Sequence, residues 1–229
     1  MLISFSHKFI FIHNPKVAGT SVKAYLGNYE PFIKNNIISR IILSTADVRR
    51  FLYKNSIHLL KNERFPLSIK PLLMGDHIKI EEAKEILPED IFKNYFKFGF
   101  VRNPWDRLVS YYVFVKNNKR HFLYEKYNSF YSFDDFIMWI IENDMGFKQK
   151  EYFYDNDNNL MVDYVGKFEN LNDDFNKIAK EINIKETELP VKKKSSNRSS
   201  YKDYYSEKSQ KLVEDYYKEE IQLFGYSFD

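Results

Sequence analysis

The sequence predicts an α/β protein in which a central, mainly parallel sheet is flanked by helices. Two stretches lead to this prediction, because residues 8–26 and residues 96–116 each pass from a short apolar strand through a polar turn into a helix. In such sheets, ligands bind at the edge where strands are followed by helices. A third observation is the length of 229 residues with 44% apolar content, which suits one core-forming domain over residues 1–229.

The composition excludes several classes of protein. Lysine and arginine number 35 against 32 aspartates and glutamates, a balance that does not favour a dedicated nucleic-acid binder. No cysteine is present, so disulfides, thiolate nucleophiles and cysteine-based metal sites are ruled out. Residues 1–15 lack the apolar core of a secretory signal, and no long apolar run predicts a membrane span. We therefore expect a cytoplasmic protein without a transmembrane segment.

The first strand-to-helix stretch is KFIFIHNPKVAGTSV, residues 8–22. Its apolar, β-favouring start predicts a buried strand over residues 8–13. From Val22 the apolar residues recur at the spacing of a helix. The turn between them leaves backbone N–H groups unpaired at the positive end of a helix dipole, which is an arrangement that binds anions. The candidate anion-binding residues of this loop are Lys16, Ala18, Gly19, Thr20 and Ser21.

The residue types in that loop suit an anion for separate physical reasons. Lys16 supplies a mobile point charge, and Gly19 allows the backbone to approach a ligand closely. Thr20 and Ser21 are able to cap the helix and to donate to a phosphate. The loop is not an ATP or GTP phosphate loop, because that loop requires a lysine directly after a second glycine. A plain β–turn–helix with a capping threonine is the alternative interpretation.

The next candidate is a histidine between two predicted elements. Residues 30–62 predict helices and their connections, and residues 64–75 predict a loop that enters a short strand. His77 follows, and residues 78–87 predict a helix, so His77 lies where a strand is followed by a helix. A histidine there can take a proton from a hydroxyl at neutral pH. A surface or helix-capping histidine also fits, and His13 is the main competitor for the role of base.

The second strand-to-helix stretch is FKFGFVRNPWDRLVSYYVFVK, residues 96–116. Its first six residues predict a strand, and the Asn-Pro-Trp-Asp segment predicts a capped helix start. Arg102 then lies at the strand end beside the helix N-terminus, and Ser110 lies about two turns into the helix. A guanidinium and a hydroxyl that converge there could hold a phosphate monoester. The alternative is an Arg102 paired with Asp106 and a Ser110 that faces solvent.

The rest of the chain predicts connecting segments and closing helices. Residues 117–131 are polar and aromatic and predict an exposed, mobile segment that could border an acceptor site. The cluster of Asn and Asp at residues 155–159 predicts a turn, and it lacks the spacing of a calcium loop. Residues 185–203 form a basic, serine-rich loop that is either solvated or a lid over an anion. The other predicted elements are a short helix over 88–95, a helix from Ser132, a strand over 160–167, and helices over 170–182 and 206–224.

These motifs together resemble one known family. PKVAGTSV resembles the 5′-phosphosulfate loop, and FVRNPWDRLVSYY resembles the 3′-phosphate element, of the carbohydrate sulfotransferases of the family 2 type. The intervening GDHIKIEEAKEIL and the closing ELP, SSYKDYY and LFGYSF are similar to the same family in order and spacing. The resemblance covers nearly the whole chain and is closer to bacterial members, and it implies a P-loop-like three-layer sandwich.

The resemblance also implies a donor, an acceptor and residue roles. The donor would be 3′-phosphoadenosine 5′-phosphosulfate (PAPS), used without metal, and the acceptor would be a hydroxyl of a carbohydrate or glycolipid, with peripheral membrane contact if that acceptor is lipid-linked. Lys16 and residues 18–21 would hold the 5′-phosphosulfate, Arg102 and Ser110 would hold the 3′-phosphate, and His77 matches the catalytic base. From the basic, serine-rich loop, the resemblance adds Lys194, Ser195 and Arg198 to the cofactor site.

Two positions depart from the family pattern, and two other functions fit parts of the sequence. Asp76 stands where a basic residue often precedes the histidine, and Lys193 stands where an asparagine is expected. An ATP-dependent phosphotransferase would carry a Lys-Ser/Thr loop and a strand-end aspartate for Mg²⁺, and neither is at the expected place. A non-catalytic anion- or glycan-binding module would account for the basic residues without His77.

Overall fold

The computed structural model describes residues 1–27, 29, 77–186, 188–189 and 199–229, and the elements are numbered within these ranges. The elements predicted within residues 30–75 lie outside the described residues. The strands are β1 (Leu2–Ser4), β2 (Phe9–Ile12), β3 (Phe96–Val101) and β4 (Tyr164–Lys167). The α-helices are α1 (Gly19–Leu26), α2 (Ile80–Ile86), α3 (Glu89–Asn94), α4 (Pro104–Lys116), α5 (Tyr124–Asn128), α6 (Phe133–Glu142), α7 (Leu171–Glu181), α8 (Glu207–Tyr216) and α9 (Lys218–Phe224), with 3₁₀ turns at Lys150–Tyr152, Phe168–Asn170 and Tyr201–Tyr204.

The four described strands form one sheet in the order β1-β2-β3-β4. β1 pairs antiparallel with β2, whereas β3 lies parallel to both β2 and β4, with Phe11 opposite Phe98 and Phe98 opposite Tyr164. All four residues of β2 are buried, as expected for a strand that is covered on both faces. The predicted α/β class with a mainly parallel sheet is confirmed.

Helices cover both faces of this sheet. Successive side chains of a strand point to opposite faces, and those of β2 accordingly divide between two apolar clusters. Phe9 and Phe11 belong to the cluster that includes residues of α1 and α7. Ile10 and Ile12 belong to the cluster that includes residues of α2 and α3. The sheet therefore lies between two layers of helices, which is the three-layer arrangement that the sequence resemblance implies.

A third apolar cluster joins α4, α5, α6 and α8 and corrects one prediction. Residues 117–131 are not an exposed segment throughout, because they contain α5, whose Tyr127 is fully buried. The Tyr127 ring lies 6.3 Å from Tyr112 and 5.0 Å from Phe136, measured between centroids. These partners lie on neighbouring helices, so the burial of Tyr127 depends on contacts that local sequence does not reveal.

The closing helix is also different from the prediction. Residues 206–224 form two helices, α8 and α9, which meet at Tyr217 with φ −102° and ψ 17°. The Tyr217 ring is 1% exposed in the third cluster, and its hydroxyl donates to the Gly146 carbonyl. The last strand is shorter than predicted, since β4 begins at Tyr164 and Leu160 forms only an isolated bridge.

The start of α4 is confirmed as predicted. Asn103 Oδ1 accepts hydrogen bonds from the backbone N–H groups of Trp105 at 3.0 Å and Asp106 at 3.3 Å, and Pro104 occupies the first helical position. Asn103 Nδ2 donates to the Ser227 carbonyl at 2.7 Å, so the chain end is attached to the same point. In the part of the chain that the structure describes, no helix has the length and apolarity to cross a membrane.

Candidate active site

A cleft of about 2260 Å³ brings the predicted site residues together. Its walls include residues that follow β2, β3 and β4, so the cleft lies at the carboxyl edge of the parallel strands, where α/β proteins bind ligands. Lys194, Ser195 and Arg198 lie outside the described residues. The predicted site residues that line the cleft are Lys16, Ala18, Gly19, Thr20, Ser21, His77, Arg102 and Ser110.

The loop between β2 and α1 enters its helix without a side-chain cap. Helix α1 begins at Gly19, and its N-cap residue, Ala18, makes no side-chain capping hydrogen bond. Thr20 and Ser21 lie inside the first turn, so the prediction that they cap the helix is wrong. Lys16 and Ala18 both adopt left-handed backbone conformations, with φ of 67° and 62°. The start of the helix, with its partial positive charge, therefore lines the cleft without a side-chain cap from its N-cap residue.

Gly19 is required for a reason that the sequence did not indicate. A Cβ atom at this position would lie 1.9 Å from both Cδ2 and Nε2 of His13. The His13 ring, which stacks on Phe11 at 5.8 Å, thus occupies the space that a side chain at position 19 would need. The absence of a side chain at Gly19 allows the imidazole to pack directly against the loop.

His13 and His77 form a close pair at the cleft wall. Their ring centroids are 4.5 Å apart, and His77 Nδ1 donates to the backbone carbonyl of His13 at 2.9 Å. The donor is assigned from the partner, because a carbonyl oxygen only accepts. In the neutral His77 ring, Nε2 is then the nitrogen able to take a proton. His77 is exposed, whereas His13 is only 7% exposed.

Arg102 is buried and connects three segments around the cleft. Its Nε and Nη2 atoms lie 2.7 and 2.6 Å from Asp106 Oδ2, and Nη1 donates to the Lys16 carbonyl at 3.0 Å. The guanidinium also lies 4.0 Å above the Phe168 ring. Pairing with Asp106 is the alternative that the sequence left open for Arg102. Ser110 is half-buried and lines the cleft.

Lys16 lies close to an aromatic part of the cleft. Its Nζ atom is 4.2 Å from the centroid of the Phe114 ring on α4, a distance typical of a cation–π contact. His121 lines the same cleft. Its pKa is lowered, mainly by burial and to a lesser extent by the positive charge of Lys16. Of the other histidines, His7 is half-buried and hydrogen-bonds with Ser6.

Gln149 supports the site and was not identified from the sequence. Its fully buried Oε1 atom accepts from Asn14 Nδ2 at 3.1 Å and from the Arg102 backbone N–H at 2.9 Å, while Nε2 donates to the Arg102 carbonyl at 2.9 Å. One amide thereby joins the loop after β2 to the end of β3. Gln149 lies in the polar segment FKQKE, which carries no signal of burial or function.

Within the described ranges, no group of three or more histidine, aspartate or glutamate side chains is placed to hold a metal ion. The turn at residues 155–159 forms as predicted, with the Asp155 N–H donating to the Asn159 carbonyl at 3.0 Å.

Comparison with known proteins identifies a relative and a family for this chain. An uncharacterized protein of Archaeoglobus fulgidus is 32% identical over 119 residues, which cover 49% of this chain and 87% of that relative. No solved structure matches the chain significantly. The model of the Sulfotransferase family matches residues 1–227, a range that includes both strand-to-helix loops and His77. The chain therefore belongs to the sulfotransferase family, and sulfuryl transfer is the chemistry that this membership supports.

Proposed function

We propose that this protein transfers a sulfuryl group from PAPS to a hydroxyl of a carbohydrate or glycolipid acceptor. The observation that supports the proposal best is the meeting, in one cleft, of an uncapped helix N-terminus, two cationic side chains and an exposed imidazole. The cations, Lys16 and Arg102, follow neighbouring parallel strands, so a ligand with two anionic groups can contact both.

The donor set of the cleft fits a nucleotide with anionic groups at both ends. The N-terminus of α1, the Lys16 ammonium and the Thr20 hydroxyl suit a 5′-phosphosulfate, because all of them donate hydrogen bonds or carry positive charge. Arg102 and Ser110 are the proposed contacts of the 3′-phosphate. When bound, PAPS supplies the sulfuryl group together with a phosphate leaving group. We also propose that further residues of the protein contact this cofactor. In the loop before α1 they are Ala18, Gly19 and Ser21. In the basic C-terminal loop they are Lys194, Ser195 and Arg198.

In this proposal His77 is the catalytic base. The hydrogen bond from its Nδ1 to the His13 carbonyl orients the ring, and Nε2 takes the proton of the acceptor hydroxyl. General-base catalysis of this kind contributes about 10²–10⁴ in rate. Lys16 and the N–H groups at the start of α1 stabilise the negative charge that develops on the leaving phosphate, and losing one such donor costs about 3–4 kcal/mol. The positive charge comes from the protein, and no metal ion takes part.

Nucleotide selectivity tests the proposed donor. Titration calorimetry in the presence of a chelator should show binding of 3′-phosphoadenosine 5′-phosphate and much weaker binding of ATP, ADP and AMP. Lys16→Ala should weaken that binding about tenfold or more, since it removes a charged contact to the ligand. Lys93→Ala is the matched control, because Lys93 is an exposed lysine paired with Glu89 outside the cleft. A preference for ATP, or no nucleotide binding, would overturn the proposal.

Turnover tests the proposed base. Transfer of labelled sulfate from PAPS to a panel of glycans should fall by about 10²–10⁴ in His77→Ala, with unchanged affinity for 3′-phosphoadenosine 5′-phosphate. His7→Ala, at a half-buried histidine outside the cleft lining, controls for the loss of an imidazole. Near-normal turnover of His77→Ala would move the role of base to His13.

A further inference from the structure

The cleft continues past Lys16 along a series of aromatic rings in contact with one another. Phe114, which lies under the Lys16 ammonium, meets the His121 ring edge-to-face at 5.7 Å. His121 in turn stacks on Phe122, with centroids 4.8 Å apart and the ring planes at 24°. All of these side chains line the cleft. The contacts form a continuous path from the proposed phosphosulfate loop to Phe122, and we refer to the stacked pair His121 and Phe122 as the aromatic platform.

The outer ring of the aromatic platform is open to solvent. Phe122 is 81% exposed, although the transfer of a phenylalanine side chain out of water is favourable. A second exposed ring lies on the cleft wall, since Phe147 is 41% exposed and packs edge-to-face on Tyr111 at 5.6 Å. Tyr111 in turn meets His121 edge-to-face at 6.2 Å. A ligand with a flat apolar face would cover this surface and remove the free-energy cost of exposing its rings to water.

Polar groups beside the aromatic platform suit a ligand that carries several hydroxyls. Asn117 and Asn118, which directly follow α4, also line the cleft, and side-chain amides both donate and accept hydrogen bonds. His121 Nδ1 accepts from the Leu123 N–H at 3.2 Å, so the neutral ring carries its proton on Nε2, which is a donor. Because burial and the Lys16 charge lower the pKa of His121, the ring stays neutral at pH 7.

We infer that the aromatic platform is the acceptor subsite and that its ligand is a pyranose ring, whose C–H face lies on Phe122 and whose hydroxyls meet the neighbouring amides. The inference rests on the proposed function and adds the location of the acceptor subsite. The platform lies beyond the end of α4, whereas the proposed 3′-phosphate contacts, Arg102 and Ser110, lie before the helix and within its first two turns. The platform is therefore on the Lys16 side of the cleft, where the sulfuryl group is to be transferred.

Two exposed aromatic residues provide a matched test. Phe122→Ala removes the outer ring of the aromatic platform, and Tyr131→Ala removes a fully exposed ring, 102% accessible, from the same connecting region but outside the cleft lining. Both positions are exposed, so both variants are expected to fold. Calorimetry with 3′-phosphoadenosine 5′-phosphate is run first on all three proteins, and equal affinities are expected.

Saturation-transfer NMR then reports the sugar contact. The probes are the methyl glycosides of glucose, galactose and mannose, added to protein saturated with 3′-phosphoadenosine 5′-phosphate. Ring C–H protons of at least one probe should receive saturation in the parent and in Tyr131→Ala, and the affinity should fall about tenfold in Phe122→Ala, which removes the stacking face.

The failures are distinguishable. Nucleotide binding without any sugar signal, or a Phe122→Ala variant that binds sugar normally, would overturn the aromatic platform and leave the proposed donor intact. A loss of nucleotide affinity in Phe122→Ala would assign the ring to the nucleotide and overturn the inference. If the parent protein binds no 3′-phosphorylated nucleotide, the proposed function itself fails.

Discussion

Gly19 is a position where the fold excludes any side chain. A Cβ there would lie 1.9 Å from the His13 ring, which is buried and stacked on Phe11. We predict that Gly19→Ala displaces His13, and with it the carbonyl that orients His77, at a cost of about 1–3 kcal/mol in the free energy of unfolding. Urea denaturation measures this change, and turnover should fall with it.

A substitution one residue earlier controls for a general change in the loop. Ala18 has a φ of 62°, a left-handed conformation that glycine adopts without strain. Ala18→Gly should therefore leave the free energy of unfolding within about 1 kcal/mol of the parent. If Gly19→Ala is as stable as Ala18→Gly, the His13 ring has room to move and the explanation is wrong.

Arg102 has a structural role in addition to its proposed ligand role. Because its guanidinium is bound to Asp106 and to the Lys16 carbonyl, Arg102→Ala leaves a carboxylate without its partner. Breaking such a buried pair costs about 3–5 kcal/mol, so we predict losses of both stability and nucleotide affinity. The double variant Arg102→Met with Asp106→Asn removes both charges, and it should recover stability without recovering affinity. Recovered affinity would contradict the proposed 3′-phosphate contact.

At the scale of elements, Gln149 closes the carboxyl end of β3. Its amide pairs with both the N–H and the carbonyl of Arg102, as a neighbouring strand would. Gln149→Glu keeps the shape but removes the donor, and it places a carboxylate 3.5 Å from Glu220. We expect a loss of several kcal/mol in urea denaturation, since each buried group left unpaired costs about 1–3 kcal/mol. Gln222→Glu on the exposed face of α9 controls for the charge and should change stability little.

The elements that local sequence specifies were predicted well. The start of α4 follows from Asn103 and the proline after it, because capping involves residues at most three positions apart. The break at Tyr217 and the helix around Tyr127 were missed, since neither contains a glycine or proline and both depend on rings packed from distant helices. Packing of this kind overrides a local pattern that permits another structure.

The same distinction explains which cleft residues the sequence could indicate. Lys16, His77 and Arg102 were proposed as site residues because each follows a predicted strand and carries a charge or a titratable ring, and all three line the cleft. Gln149 bonds to Arg102, 47 positions away, and to Asn14, 135 positions away, so nothing in its own neighbourhood indicates the role. The contact between His13 and Gly19 was missed for a related reason, because the proximity of a ring to a backbone is a property of the folded loop.

For the whole molecule, a buried carboxyl makes stability depend on pH. Glu220 of α9 is 2% exposed, and burial raises its pKa against the opposing charge of Arg107. The folded protein therefore retains a proton that the unfolded chain releases above its ordinary value near 4.5. Stability from this group is present below that value and is lost as the pH rises through the raised pKa of the folded state.

Replacing this carboxyl should flatten the pH profile. Glu220→Gln removes this titration. The stability of the variant relative to the parent should therefore increase as the pH rises from acidic values to pH 8. Glu219→Gln, on the exposed neighbour that pairs with Lys150, controls for loss of a carboxylate. Denaturant titrations at several pH values provide the comparison, and parallel profiles for the parent and Glu220→Gln would contradict the assignment.

The contact between His13 and Gly19 also limits the order in which this sequence can diverge. A larger residue at position 19 meets the imidazole, but a small residue at position 13 would remove the obstacle and leave the backbone carbonyl that His77 uses. The two positions are thus expected to be epistatic, with a coupling free energy of about 0.5–3 kcal/mol between substitutions in contact. A small residue at position 13 therefore has to come first. If position 19 changes first, its new side chain overlaps the His13 ring and displaces it.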